Sequence, residues 1–227
     1  MPFPPLHPRC RCTIIPIVKM VERFKPASTI KEAEDYIQNK LNLDIVHYEG
    51  IKLDYANTIN EALIDLKRKY PDIFLGKIIC KDMGIPSLKG IMAHGSYIDA
   101  GKAGMTRGTL YLNRRYFDKF PLSYNFNKEI MRMFKEGWMT PKKMSDLVVH
   151  EMGHHLTFAV RRFNSTTQLN NYYRKLKIKP VLKGISKYAE SNFLESLAEA
   201  FVKYNRGDKI SPEAFKALQQ YLGVGVK

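Results

Sequence analysis

Residues His150-Glu151-Met152-Gly153-His154 constrain this chain more than any other stretch. Two imidazoles stand four residues apart with a carboxylate directly after the first. Positions i and i+4 share one face of an α-helix, so both rings can reach a single ion only if this run is helical. Glu151 then lies about 100° round the helix, close enough to hold a water on that ion. The chain has six histidines, three of them within His150–His155, so the residues that bind transition metals are concentrated here.

A catalytic zinc site keeps three protein ligands and one position for water, which leaves one ligand to find. A third histidine six residues on is absent, because position 160 is Val160. His155 points about 100° away from His154 and is a poor co-ligand, a bystander or a group outside the ligand set. Acidic candidates lie downstream in Tyr188-Ala189-Glu190-Ser191-Asn192-Phe193-Leu194-Glu195-Ser196-Leu197-Ala198-Glu199-Ala200-Phe201. Glu195 and Glu199 stand at i and i+4 on an otherwise apolar helix, a costly place for carboxylates unless they are paired or bound to metal. One of the two can ligate, and the other can accept the free N–H of a ligating histidine. Glu190 competes for the ligand role. Gly153 inside a helix costs ~1 kcal/mol against Ala, which suggests close approach of another backbone or of substrate. His94, in Ala93-His94-Gly95, reads as a loop residue.

These two elements together, H-E-x-G-H and Y-x-x-x-N-x-x-E-x-x-x-E-A-F, resemble the anthrax lethal factor-like group of zinc metallopeptidases, within the gluzincins. The resemblance covers about residues 140–205. It implies that His150 and His154 ligate zinc, that Glu195 is the third ligand and that Glu151 is the general base. It further implies that Tyr188 steadies the oxyanion or leaving group, and that Glu199 is an outer acid orienting a ligand. The implied activity is metal-assisted hydrolysis of a peptide bond in a protein or peptide substrate. The implied fold is α+β and zincin-like.

The coarse pattern along the chain agrees with an α+β class, since strands come early and helices late without regular alternation. Ser28 or Thr29 caps an expected helix over about 30–40, and Leu43–Tyr48 reads as a strand. A helix is expected from Thr58 through Tyr70, and a strand over Leu75–Cys80. Seven glycines and prolines between residues 82 and 108 suggest turns between short strands. Gly108–Asn113 alternates as an edge-strand candidate that could hold an extended peptide. Helices are expected over about 128–136, 168–177, 193–204 and 212–221. Thr140-Pro141 is expected to open the helix that carries the histidines.

The N-terminal string Pro4-Pro5-Leu6-His7-Pro8-Arg9-Cys10-Arg11-Cys12, followed by a β-branched run to Val18, resembles the end of the phage Mu-type minor head, or head-morphogenesis, domain. That resemblance implies residues 1–29 as the tail of such a domain plus a linker, and residues 30–227 as the peptidase domain. It places the protein in a phage virion or in the bacterial cytoplasm, with capsid proteins as potential partners. His7, Cys10 and Cys12 also offer ligands, but at a spacing unlike the usual zinc hairpins.

Composition bounds the remaining classes. No apolar run approaches the ~18–20 residues needed to span a bilayer. The proline-rich N-terminus lacks the apolar core of a secretory signal, and three cysteines argue for a reducing compartment. The formal charge of +15, from 37 basic and 22 acidic residues, suits non-specific contact with DNA or another polyanion. Two alternatives to the enzyme are a structural head component stapled by zinc and a nucleic-acid-binding accessory protein.

Overall fold

Thr29 starts the first helix, its hydroxyl accepting the Glu32 N–H at 3.1 Å while the Glu32 carboxylate accepts the Ser28 N–H at 2.7 Å. This reciprocal cap satisfies main-chain donors that a helix start leaves free. The computed structural model describes residues 24–71, 73–84, 92–99, 105–119 and 126–225. The capped helix, α1 (Ile30–Leu41), ends at Asn42 in the left-handed conformation and leads into β1 (Ile45–His47). The next helix, α2 (Leu53–Lys69), begins a full turn before Thr58. Thr58 is not a cap: its hydroxyl donates back to the Asp54 carbonyl at 2.8 Å, a bond available to threonine inside a helix.

Three further strands follow, β2 (Leu75–Lys81), β3 (Met92–Asp99) and β4 (Met105–Asn113). The sheet order is β1-β2-β4-β3. β1 and β4 both run parallel to β2, and β3 runs antiparallel to β4. β1, α2 and β2 therefore form one βαβ crossover inside a small mixed sheet, and the chain is α+β. Two expectations are corrected here. The glycine-rich stretch contains the eight-residue strand β3, and the Gly108–Asn113 strand is central. Burial is nearly continuous along β4, as both faces and both edges are covered, so its alternation does not mark an edge. The edge strand next to β4 is β3.

The second half is helical: α3 (Arg114–Lys119), α4 (Phe126–Lys135), α5 (Met144–Ala159), α6 (Thr166–Lys177), α7 (Phe193–Arg206) and α8 (Pro212–Leu222), with a short 3₁₀ turn, Tyr188–Ser191, before α7. Helix α5 is buried on nearly all sides and packs against α2, β3, β4, α7 and α8. It begins at Met144, three residues after Pro141. Asn127, from outside the helix, accepts the Met144 N–H at 2.8 Å, and Asp146 in the first turn reaches back to accept the Lys142 N–H at 2.8 Å. Among the described residues no helix is long and apolar enough to cross a membrane. His7, Cys10, Cys12, the strand expected before Val18 and the glycines of 100–104 lie outside the described residues.

Gly153 sets the distance between α5 and α7. A Cβ there would stand 3.1 Å from the Ala198 Cα and 3.2 Å from the Phe201 ring. The close approach inferred from this glycine is thus to the backbone of α7. Gly153→Val should push the two helices apart and cost about 1–3 kcal/mol through overpacking, read as a lowered urea midpoint with an unchanged slope.

Candidate metal centre

Helix α5 presents His150 and His154 one turn apart on one face, with ring centroids 4.9 Å apart. Across the Gly153 contact, α7 brings Glu195 to both. Its Oε2 lies 3.1 Å from His150 Nε2 and 3.2 Å from His154 Nε2. Two ligands about 2.0–2.1 Å from one ion at a tetrahedral angle stand roughly 3.3 Å apart, so both distances match the edges of such a site. One ligand atom from each of the three residues falls within 4.8 Å of the others, and among the described residues no other His, Cys, Asp or Glu set converges in this way. The group His150–His154–Glu195 can hold a metal ion.

The sequence fixes Glu195 through its flanks. Asn192 is the N-cap of α7, and its side-chain oxygen accepts the N–H groups of Leu194 and Glu195 at 3.0 and 3.2 Å. Glu195 thereby sits in the first helical turn, aimed back at α5. Glu199, one turn later, is fully buried. Its Oε2 accepts the Thr140 N–H at 2.6 Å and the Ser186 hydroxyl at 2.8 Å. Its Oε1 stands 2.9 Å from His150 Nδ1, close but off the line of a regular hydrogen bond. A proton on Nδ1 facing this carboxylate would free the Nε2 lone pair for an ion held with Glu195, the usual way an outer carboxylate orients an imidazole that binds metal. Thr140, expected as a helix cap, is instead one of the donors that hold Glu199.

Charge follows the same geometry. Burial opposes protonation of His150, yet its contacts with Glu195 and Glu199 outweigh it and raise the group well above its ordinary value. Burial alone would raise both carboxyls, but the two imidazoles pull Glu195 far down, and His150, Ser186 and Thr140 lower Glu199. Glu151 is buried beside the pair, and burial raises it above the usual carboxylate range. Tyr188 lines the same cleft, its ring 5.9 Å from that of His150, and burial and the nearby carboxylates keep its phenol protonated. Its main-chain N–H is held by the Trp138 carbonyl at 2.8 Å.

The cleft has a volume of about 630 Å³ and runs between β3, α5, α6 and the start of α7. His150, Glu151, His154, Tyr188 and Glu195 all line it. His155 does not: it is fully buried, and its Nε2 accepts the Phe74 N–H at 3.1 Å, tying α5 to the lead of β2. Burial and the Lys67 charge hold His155 down to about 3. His94, expected in a loop, lies on β3 and lines the cleft. Ser186 went unassigned in the sequence because it lies in an irregular segment with no periodic signal. Asn192 was legible as a match to the resembled pattern and as the residue before an expected helix, and the structure adds its role as the N-cap of α7.

No family model, curated protein or solved structure matches this chain.

Glu195→Ala should abolish stoichiometric metal binding, whereas Glu199→Ala should weaken it about 10–100-fold, as measured by metal analysis and chelator competition. Metal uptake must also displace the proton on His150. Affinity should therefore climb with pH, by up to about tenfold per unit, until the raised His150 value is passed. In metal-free protein the sign is opposite. The His150 proton stabilises the fold fully below 6.5, and that contribution is lost as pH rises through the raised value. Calorimetry in buffers of different ionisation enthalpy reads the first effect, and denaturation of chelated protein reads the second.

Proposed function

We propose that this chain is a zinc-dependent peptidase of the zincin type. The observation that carries the proposal is Glu151, buried beside a three-donor set and facing the same cleft as that set. Zinc is the ion of choice because a set of two imidazole nitrogens and a carboxylate oxygen suits it. When bound, zinc would lower the pKa of a water toward ~7 and polarise the scissile carbonyl.

The chain's own residues supply the rest. Glu151, whose pKa burial raises, accepts the proton of the attacking water and passes it to the leaving amine. Tyr188 keeps its phenol proton and can donate it to the developing negative charge. Glu199 holds His150 in one tautomer. A structural zinc staple would need a fourth protein ligand. His155 and Glu199, neighbouring side chains able to ligate, face Phe74 and His150 Nδ1 respectively. This favours catalysis over a staple.

The substrate strand belongs on β3. Gly108 gives its N–H to the Phe74 carbonyl on the β2 side of β4. Alternation along the antiparallel pair then turns the N–H and C=O of Ser96 and His94, which stand opposite Gly108 and Leu110, toward the outer edge of β3. Among the described residues no strand pairs there. An extended peptide can add to this edge with its backbone passing the metal centre.

The resemblance to the lethal factor-like group and to the head-morphogenesis signature extends the proposal to a phage setting. There the substrate would be a capsid or scaffold protein, or a host protein if the domain is delivered. The charge of +15 suits non-specific contact with packaged DNA.

Glu151→Gln should retain zinc and lose at least about 100-fold in hydrolysis across a broad peptide library. Tyr188→Phe should lower kcat about tenfold or more with little change in KM. Stoichiometric zinc with no cleavage by the wild-type protein would overturn the peptidase reading.

A further inference from the structure

His94 and His155 form a second histidine pair beside the centre, and its protonation pattern can be read from its neighbours. His155 Nε2 accepts the Phe74 N–H, so that nitrogen carries a lone pair. Neutral His155 must then hold its proton on Nδ1. That Nδ1 and His94 Nε2 are both buried, and neither has a hydrogen-bond partner. The two rings meet edge to face, with centroids 5.1 Å apart at 61°. They converge over Gly108, where a Cβ would stand 2.4 Å from His94 Nε2 and 2.8 Å from His155 Nδ1. Only glycine leaves room for both rings.

Both nitrogens stand over Gly108 and neither meets an acceptor, so a second N–H beside the His155 Nδ1–H would be an orphaned buried donor; His94 Nε2 is therefore assigned the lone pair and the His94 proton Nδ1. The ring lines the cleft beside His154 and Glu151. The N–H and C=O of the same residue face the outer edge of β3. From this arrangement we infer that His94 is a substrate-contacting donor. Its Nδ1–H hydrogen-bonds a carbonyl oxygen of the bound peptide close to the metal centre and strengthens that bond as the oxygen gains charge. His155 is the positioning residue that fixes the His94 tautomer, and Gly108 is the small residue that lets the two meet. Burial keeps His94 neutral, which preserves the fixed tautomer. The inference rests on the peptidase reading for its ligand, a peptide carbonyl or its tetrahedral mimic, but the tautomer assignment does not.

Three measurements on the full chain test it. Long-range ¹⁵N NMR of labelled histidine should show both His94 and His155 as neutral Nδ1–H tautomers. A His94 proton on Nε2 would overturn the inference whether or not the protein is an enzyme. Next come His94→Phe, which keeps a ring without a donor, and His94→Asn, whose amide nitrogen falls near the Nδ1 position. Both should retain full zinc. In His94→Phe, kcat/KM on a cleaved peptide should fall about 100-fold, mainly in kcat, and a zinc-binding phosphonate tripeptide should bind about 100-fold more weakly. His94→Asn should recover at least about tenfold of each loss. Wild-type cleavage that His94→Phe matches overturns this inference alone. Zinc-loaded wild-type protein that neither cleaves peptides nor binds the phosphonate overturns both this inference and the peptidase reading.

Discussion

The contact between α5 and α7 at Gly153 is the constraint on which the rest depends. With no side chain in the way, the Ala198 backbone comes within a Cβ contact of α5. That depth brings Glu195 and Glu199, on successive turns of one helix, to the two sides of one imidazole on the other. Neither carboxylate belongs in an apolar interface by itself, and each is compensated by named partners. Glu199 takes donors from Thr140 and Ser186, and Glu195 takes two imidazoles and a capped helix start. A helix pair one ångström wider would leave buried charge without partners, so packing and charge are satisfied together or not at all.

Much of this was legible from one-dimensional pattern, because helix geometry turns spacing into position. The four-residue intervals between His150 and His154 and between Glu195 and Glu199 place each pair on one helix face. The start of α1 follows from the Thr29 cap, which acts within a turn. What stayed hidden was non-local. The strand that ends in Asn113 alternates like an edge, yet it is flanked by β2 and β3, whose pairing no local signal announces. Thr58 and Thr140 look like caps in sequence. One is a back-bonded helix interior residue, and the other is a donor to a carboxylate 59 residues away. His94, set next to glycine, looked like a loop residue because the glycines around it suggested turns. In the fold, Gly95 lies on β3 and Gly108 clears space for two rings.

The charge of the whole chain and the charge of the site are opposite in sense. A chain with formal charge +15 buries Glu199 completely and keeps Glu151 and Glu195 beside two imidazoles. With both imidazoles neutral, this pocket is strongly electronegative. That is why protons are held so firmly on His150 and why a dication fits in their place. The basic exterior cannot reach this pocket effectively, since exposed charges are screened within about 8–10 Å at physiological salt. Surface charge therefore bears on where the protein concentrates, and the buried acids bear on what it binds.

The open side of β3 has a consequence for the behaviour of the protein in bulk. Among the described residues no strand covers the outer edge of β3, and an edge of this kind can accept an extended segment, including the same strand of a neighbouring copy. Solubility is then set by how weakly β3 recognises itself. If β3 receives a peptide, as proposed, it cannot be blunted with proline or a bulge without losing the guest as well. Mutual repulsion between molecules that each carry a large positive charge is the remaining safeguard. The surplus of lysine and arginine would thereby oppose pairing of that edge between copies, and concentrated salt, by screening the repulsion, would weaken the safeguard.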